Sequence, residues 1–237
     1  MPKSTAAWQP TDIPRQRSLR AVLVLTGLSV GVLIATAPAI GAFFSLLDAR
    51  RGDGAASTEA ITALPGTLAA YAPGLVGLGL TALLTRAVYV RGRPADAALA
   101  AAFGWSIAAL LPLVVIGGGQ DPATTLRVLG LSSTLGMTLS GVALVLLVRR
   151  TWGPAATQGT GRTSGALVVA AAAAVMVGSL VTHGRPLDDL VEVLVVGAAA
   201  GAAALFTGVV VLSIGDFARM SEVVQRGRAR RRRKDPA

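Results

Sequence analysis

Marking every Asp, Glu, Lys and Arg along the chain leaves six intervals that carry no charge: residues 21–47, 60–85, 97–120, 128–148, 163–182 and 193–215. Each is roughly 20 to 27 residues long, and a helix of that length, rising about 1.5 Å per residue, crosses a hydrocarbon core of about 30 Å. Strands of a membrane barrel would need only about ten residues each and would alternate polar with apolar positions. The run 168–176 (VVAAAAAVM) is instead apolar on every side. The pattern predicts an all-α, polytopic integral membrane protein with six transmembrane helices over residues 19–218, between an amino-terminal arm (1–18) and a basic tail (219–237).

Periodicity inside the intervals adds detail. In the fourth, Gly130, Ser133, Thr134, Met137, Thr138 and Gly141 recur at the spacing of one helical face, while Leu131, Leu135, Leu139, Val142 and Leu146 take the other. Lipid already satisfies leucine, so the small, weakly polar face is expected to pack against protein or to line a transport path. Gly27 with Gly31, and Gly197 with Gly201, form GxxxG pairs that allow close backbone approach and read as packing. Pro38, Pro65, Pro73 and Pro112 interrupt the helical ladder within apolar intervals. Pro73 stands in a glycine-rich stretch, 71–79 (YAPGLVGLG), so Tyr71, Pro73, Gly74 and Gly77 mark a structural kink or a hinge.

Charge orients the pattern. Lys3, Arg15, Arg17 and Arg20 precede the first interval, Arg86, Arg91 and Arg93 follow the second, and Arg149, Arg150 and Arg162 follow the fourth. The tail adds Arg219, Arg226, Arg228, Arg230, Arg231, Arg232, Arg233 and Lys234. The other loops hold only Arg50, Arg51, Arg127 and Arg185, beside most of the acids: Asp48, Asp53, Glu59, Asp121, Asp188, Asp189 and Glu192. The positive-inside rule therefore places both termini in the cytoplasm. The first interval is too long for the apolar core of a signal peptide and reads as a retained anchor. The run 226–234 (RGRARRRRK) directly follows the last apolar interval and reads as a contact for anionic membrane lipids rather than nucleic acid, at about 1 kcal/mol per basic residue near the surface.

Composition narrows the chemistry. Of 237 residues 53% are hydrophobic and 14% charged, with a net charge of +10, which is far from the balance of an ordinary soluble enzyme. There is no cysteine and one histidine, His183, so disulfide, thiolate and cysteine- or histidine-cluster metal chemistry have no residues to use. No ionisable residue falls near the middle of any interval, which leaves no visible proton relay or charged-substrate clamp. Nothing resembles a catalytic constellation, a phosphate loop or a cofactor motif. The sequence predicts no enzyme and no cofactor.

The stretch 69–93 (AAYAPGLVGLGLTALLTRAVYVRGR) resembles a segment of the MurJ, or MviN, lipid II flippases, members of the multidrug/oligosaccharidyl-lipid/polysaccharide exporter superfamily. Tyr71, Gly74 and Leu75 match the opening of a family helix, and Tyr89 and Arg91 match its aromatic-x-Arg rim near Arg86. Arg93 stands where the family usually has an acid, with Asp96 shortly after. Residues 37–43 (APAIGAF) look like the exit of the preceding helix, 129–150 like a small-residue helix with a basic end, and 215–220 (GDFARM) like the close of the last helix. The order of these matches along the chain is that of the family's carboxyl-terminal part, roughly the last six of about fourteen helices.

The resemblance implies a bacterial cytoplasmic membrane protein that serves export of a lipid-linked peptidoglycan precursor. It carries over no arginine of the cationic cavity, which in the family is built mainly from amino-terminal helices. A membrane partner or upstream helices would have to supply that cavity. It also implies that the fifth and sixth helices (163–182 and 193–215) border the polyprenyl tail. The alternative is a non-transporting interaction subunit derived from a flippase, which packs against another polytopic protein through its small-residue faces.

Overall fold

The computed structural model describes the backbone of residues 12–51, 55–116, 120–153, 160–183, 187 and 189–234, and the side chains of these except 12–17, 51, 55–58, 160–163 and 214–234. The described residues form seven helices: α1 (Asp12–Arg51), α2 (Ala55–Tyr71), α3 (Gly74–Val90), α4 (Pro94–Val115), α5 (Pro122–Trp152), α6 (Thr160–Thr182) and α7 (Leu190–Lys234). There is no strand among the described residues. The basic arm before residue 12, the side chains of the tail arginines, and Asp53, Arg162, Arg185 and Asp188 lie outside the described residues or side chains.

Among the described residues, five helices are long and apolar enough to cross a membrane alone, namely the segments Ser18–Arg50, Pro94–Val115, Pro122–Trp152, Ser164–Thr182 and Leu190–Ser213. The second apolar interval, expected as one helix, is two: Glu59–Tyr71 and Gly74–Val90 meet at an angle of 47°. The cause is local. Pro73 has no N–H to give to the carbonyl four residues back, and the next donors fold tightly, Leu75 N–H to Ala72 O (3.0 Å) and Val76 N–H to Pro73 O (3.3 Å). Pro38 and Pro65 lie inside continuous helices, and Pro112 comes in the last turn of α4. Pro65 is also followed by a glycine, Gly66, yet α2 runs on through it, so the break at Pro73 is not set by the proline–glycine pair alone.

Contacts decide whether this bent pair crosses or doubles back. Gly41 near the far end of α1 abuts Pro65 of α2, and Gly79 of α3 abuts Thr26 and Val22 near the start of α1. The pair therefore runs antiparallel to α1 along its length and forms one broken span. The same reading of partners holds throughout. Gly104 of α4 meets Gly136 and Ser140 of α5, antiparallel; Gly27, Gly31 and Ala35 of α1 meet Leu167, Ala174 and Gly178 of α6, parallel. Ala39, Thr36 and Leu28 of α1 meet Gly197, Gly201 and Gly208 of α7, antiparallel. Among the described residues the five long apolar helices and the bent pair alternate in direction, and the start of α1 and the far part of α7 share one end of the bundle.

α1 is the central element, with α6 and α7 on one side and the α2–α3 pair on the other; α5 then joins that pair to α4. Its two GxxxG glycines receive α6, and the α7 pair receives α1, so both motifs serve packing as read from the sequence. The largest apolar cluster gathers Leu19, Leu23, Leu84, Val88, Ala97, Leu144, Val148 and Leu167, one level of the bundle to which α1, α3, α4, α5 and α6 all contribute. Facing outward are Leu99, Phe103, Leu113, Val168, Met176, Leu194 and Phe206, which suits a hydrocarbon solvent.

Candidate functional site

The residues singled out in the second and fourth apolar intervals meet at the break. Gly74 and Gly77 are buried against α5, and a Cβ at Gly77 would collide with the backbone of Met137 and Thr138, one at Gly74 with the backbone of Thr134. Gly141 of α5 closes on Gly77 in turn, so α3 and α5 approach to backbone contact. Glycine is required here by space, not by an unusual dihedral angle.

Thr134 reaches across the break. Its Oγ1 lies 2.6 Å from Ala70 O and 2.9 Å from Tyr71 O, the carbonyls at the end of α2. A hydroxyl has a single proton, which here is shared between two acceptors. Below it, Ser140 Oγ and Thr81 Oγ1 are 3.2 Å apart and Thr81 Oγ1 is 2.9 Å from Gly77 O. One proton on each hydroxyl satisfies the set when Ser140 donates to Thr81 and Thr81 donates to Gly77 O. Trp105 of α4 and Leu78 stand over this group, leaving a void of about 10 Å³.

Placement of the expected residues is uneven. Tyr71 is half-buried and Pro73 exposed at the elbow, while Met137 is buried between α3 and α5. Ser133 is half-buried and gives its hydrogen bond back to Leu129 O (2.8 Å). Thr138 points outward, although its backbone touches Gly77. Ser132, Gly136 and Ser140 are buried instead, facing positions not assigned to the small-residue face. Their burial follows from α5 having two protein neighbours, the α2–α3 pair and α4, so its packed surface is wider than one stripe. A glycine at Gly104, midway along the third interval, was the sequence signal for that second neighbour.

At the basic end, Arg86, Tyr89 and Arg91 are exposed where α3 stops. The Arg91 guanidinium lies over the Trp152 ring, 4.9 Å from its centroid, tying the end of α3 to the end of α5. Arg93 pairs with Asp96 in the first turn of α4. Asp121 caps the opposite end of α5 by accepting the Thr124 N–H at 2.9 Å. Its carboxyl is held below the ordinary aspartate value first by the Thr124 side-chain and backbone hydrogen bonds, then more weakly by Arg127.

A cavity of about 320 Å³ opens between α1 and α7 in the half of the bundle away from the basic end, lined by Thr36, Ile40, Phe43, Phe44, Val193 and Leu194 among others. The Phe43 and Phe44 rings meet edge to face, with centroids 5.6 Å apart. The resemblance implied that the fifth and sixth spans border a polyprenyl tail. In the structure α6 and α7 pack on each other, and α1 supplies the second wall. Among the described residues no three His, Asp or Glu side chains gather as a metal site, and His183 is exposed beyond the end of α6.

This set can bend a span, hold the bend with neutral hydroxyls and offer an apolar lateral surface. No protein-family model, curated protein or solved structure matches the chain. The likeness to lipid II flippases stands on the residues quoted for it.

Proposed function

We propose that this multi-pass membrane protein serves export of a lipid-linked peptidoglycan precursor in the bacterial cytoplasmic membrane, as the carboxyl-terminal portion of a lipid II flippase-type transporter. The observation that carries the reading is the seating of the Pro73 break on α5 through Gly74, Gly77 and Thr134. Two of the stretches that resemble the flippases, 69–93 and 129–150, are joined by this junction. A broken span supported by a neighbour is a device of alternating-access transporters, where irregular backbone is tolerated only if it is covered by protein.

In this reading the basic end faces the cytoplasm, the apolar cavity between α1 and α7 takes part of the polyprenyl tail, and the tail arginines hold anionic lipid. Upstream helices or a partner supply the cationic cavity for the pyrophosphate. The work is conformational, with no covalent step. Depleting the protein in its host should stop incorporation of new peptidoglycan while the lipid-linked precursor accumulates in the inner leaflet. Normal wall incorporation with an unchanged precursor pool would overturn the proposal.

A non-transporting subunit is the second reading, favoured by the packed interior, in which no ionisable side chain is buried among the described residues. It predicts a larger complex on a native gel and a precursor pool that does not change on depletion.

A further inference from the structure

Folding collects arginines that are far apart in sequence. Leu19, Val88 and Val148 are buried in one cluster, and each is within a few residues of an exposed arginine: Arg20 on α1, Arg86 and Arg91 on α3, Arg149 and Arg150 on α5. Five guanidinium groups thus stand at one level of the bundle. Among the described side chains, the one carboxylate at this end is Asp96, and it is taken by Arg93. Asp48, Glu59, Asp121, Asp189 and Glu192 all lie at the other end.

We propose that this rim is a binding site for the head groups of anionic phospholipids in the facing leaflet, centred on Arg91 and Trp152. A phosphodiester matches the planar fork of a guanidinium in any phospholipid, but in phosphatidylcholine its charge is offset by choline, so a cluster of guanidinium groups with no described carboxylate to neutralise it favours lipids of net negative charge. Stacking on Trp152 holds the Arg91 fork in place before a lipid arrives, and indole rings favour the head-group level of a bilayer. The site lies on the folded helix ends, apart from the tail 219–237, and it holds whether or not the protein takes part in precursor export.

Tryptophan fluorescence tests it directly. The chain has three tryptophans, Trp8, Trp105 and Trp152, and Trp105 is exposed on the outward face of α4 within a span. The full chain with Trp8→Phe and Trp105→Phe, reconstituted in phosphatidylcholine vesicles, leaves Trp152 as the reporter. Brominated phosphatidylglycerol is expected to quench it several-fold more effectively than brominated phosphatidylcholine at the same mole fraction. Arg91→Gln should cut that preference about fivefold, the effect of one basic residue at a charged surface. The companion chain that keeps only Trp105 should show little preference.

Equal quenching of Trp152 by the two lipids would overturn the site. So would an Arg91→Gln variant of unchanged helicity that keeps the full preference, or an Arg127→Gln variant at the opposite end that loses as much. Inorganic phosphate added at matched concentration is expected to leave the preference intact; abolition by phosphate would assign the site to a free anion instead. If Arg91→Gln fails to fold, Arg86→Gln reads the same level of the rim.

Discussion

Thr134 Oγ1 lies 2.6 Å from the carbonyl oxygen of Ala70 and 2.9 Å from that of Tyr71, so one side chain of α5 serves two of the carbonyls at the end of α2. In hydrocarbon an uncovered carbonyl has no water to turn to. Thr134→Val keeps the shape and removes the donor, and it should lower stability by about 1 kcal/mol, while Thr134→Ser should retain most of it. Unfolding titrations in mixed micelles would check this, and equal stability of the valine and serine variants would contradict it.

The tight approach of α3 to α5 predicts a position-specific response to a single methyl group. Gly77→Ala drives a Cβ into the Met137 and Thr138 backbone, which cannot swing aside, and should cost about 1–3 kcal/mol. Gly165→Ala on α6 meets nothing within 4 Å and should be neutral or slightly stabilising. Thermal denaturation of the two variants side by side would separate packing from a general intolerance of change in these helices.

Asp121 gives a pH dependence of known sign. Its folded pKa is depressed, so its contribution as the cap of α5 is complete above the ordinary aspartate pKa and is lost as pH falls through the lower, folded value. Asp121→Asn should therefore flatten the acid limb of the stability profile and leave the neutral region nearly unchanged. An acid limb identical in the two proteins would show that the cap is not linked to folding.

Absence of cysteine makes topology easy to test, because any introduced cysteine is unique. Arg93→Cys should react with a membrane-impermeant maleimide only from the cytoplasmic side, and Gln120→Cys only from the other. The reverse pattern would invert the proposed orientation while keeping the alternation of spans.

The outer face of α5 was legible in the sequence, since Leu131, Leu135, Leu139, Val142 and Leu146 all face outward in the structure. The glycine-rich stretch around Pro73 marked it as a kink or hinge, but Pro65 before Gly66 stays inside α2, so the choice between the two prolines was not legible from local sequence. Less legible was the choice between Thr138 and Ser140. Local spacing gives the phase of a stripe, but its width depends on how many neighbours a helix has, and α5 has them on two sides. The apolar cavity between α1 and α7 was not legible for a related reason. Small residues announce that a helix packs closely without naming the partner, and α1, not α6, is opposite that part of α7.

The central place of α1 has a consequence for how the chain is made. Gly27 finds its neighbour at Leu167, so about 140 residues are synthesised between the two sides of that seam. At ordinary ribosomal rates that wait is on the order of ten seconds, long against the motions of lipids and helices. During it the α2–α3 pair, α4 and α5 can assemble on the other face of α1. Assembly is thus staged by the ribosome, and the seam that α6 and α7 close on α1 is the last part of this bundle to form.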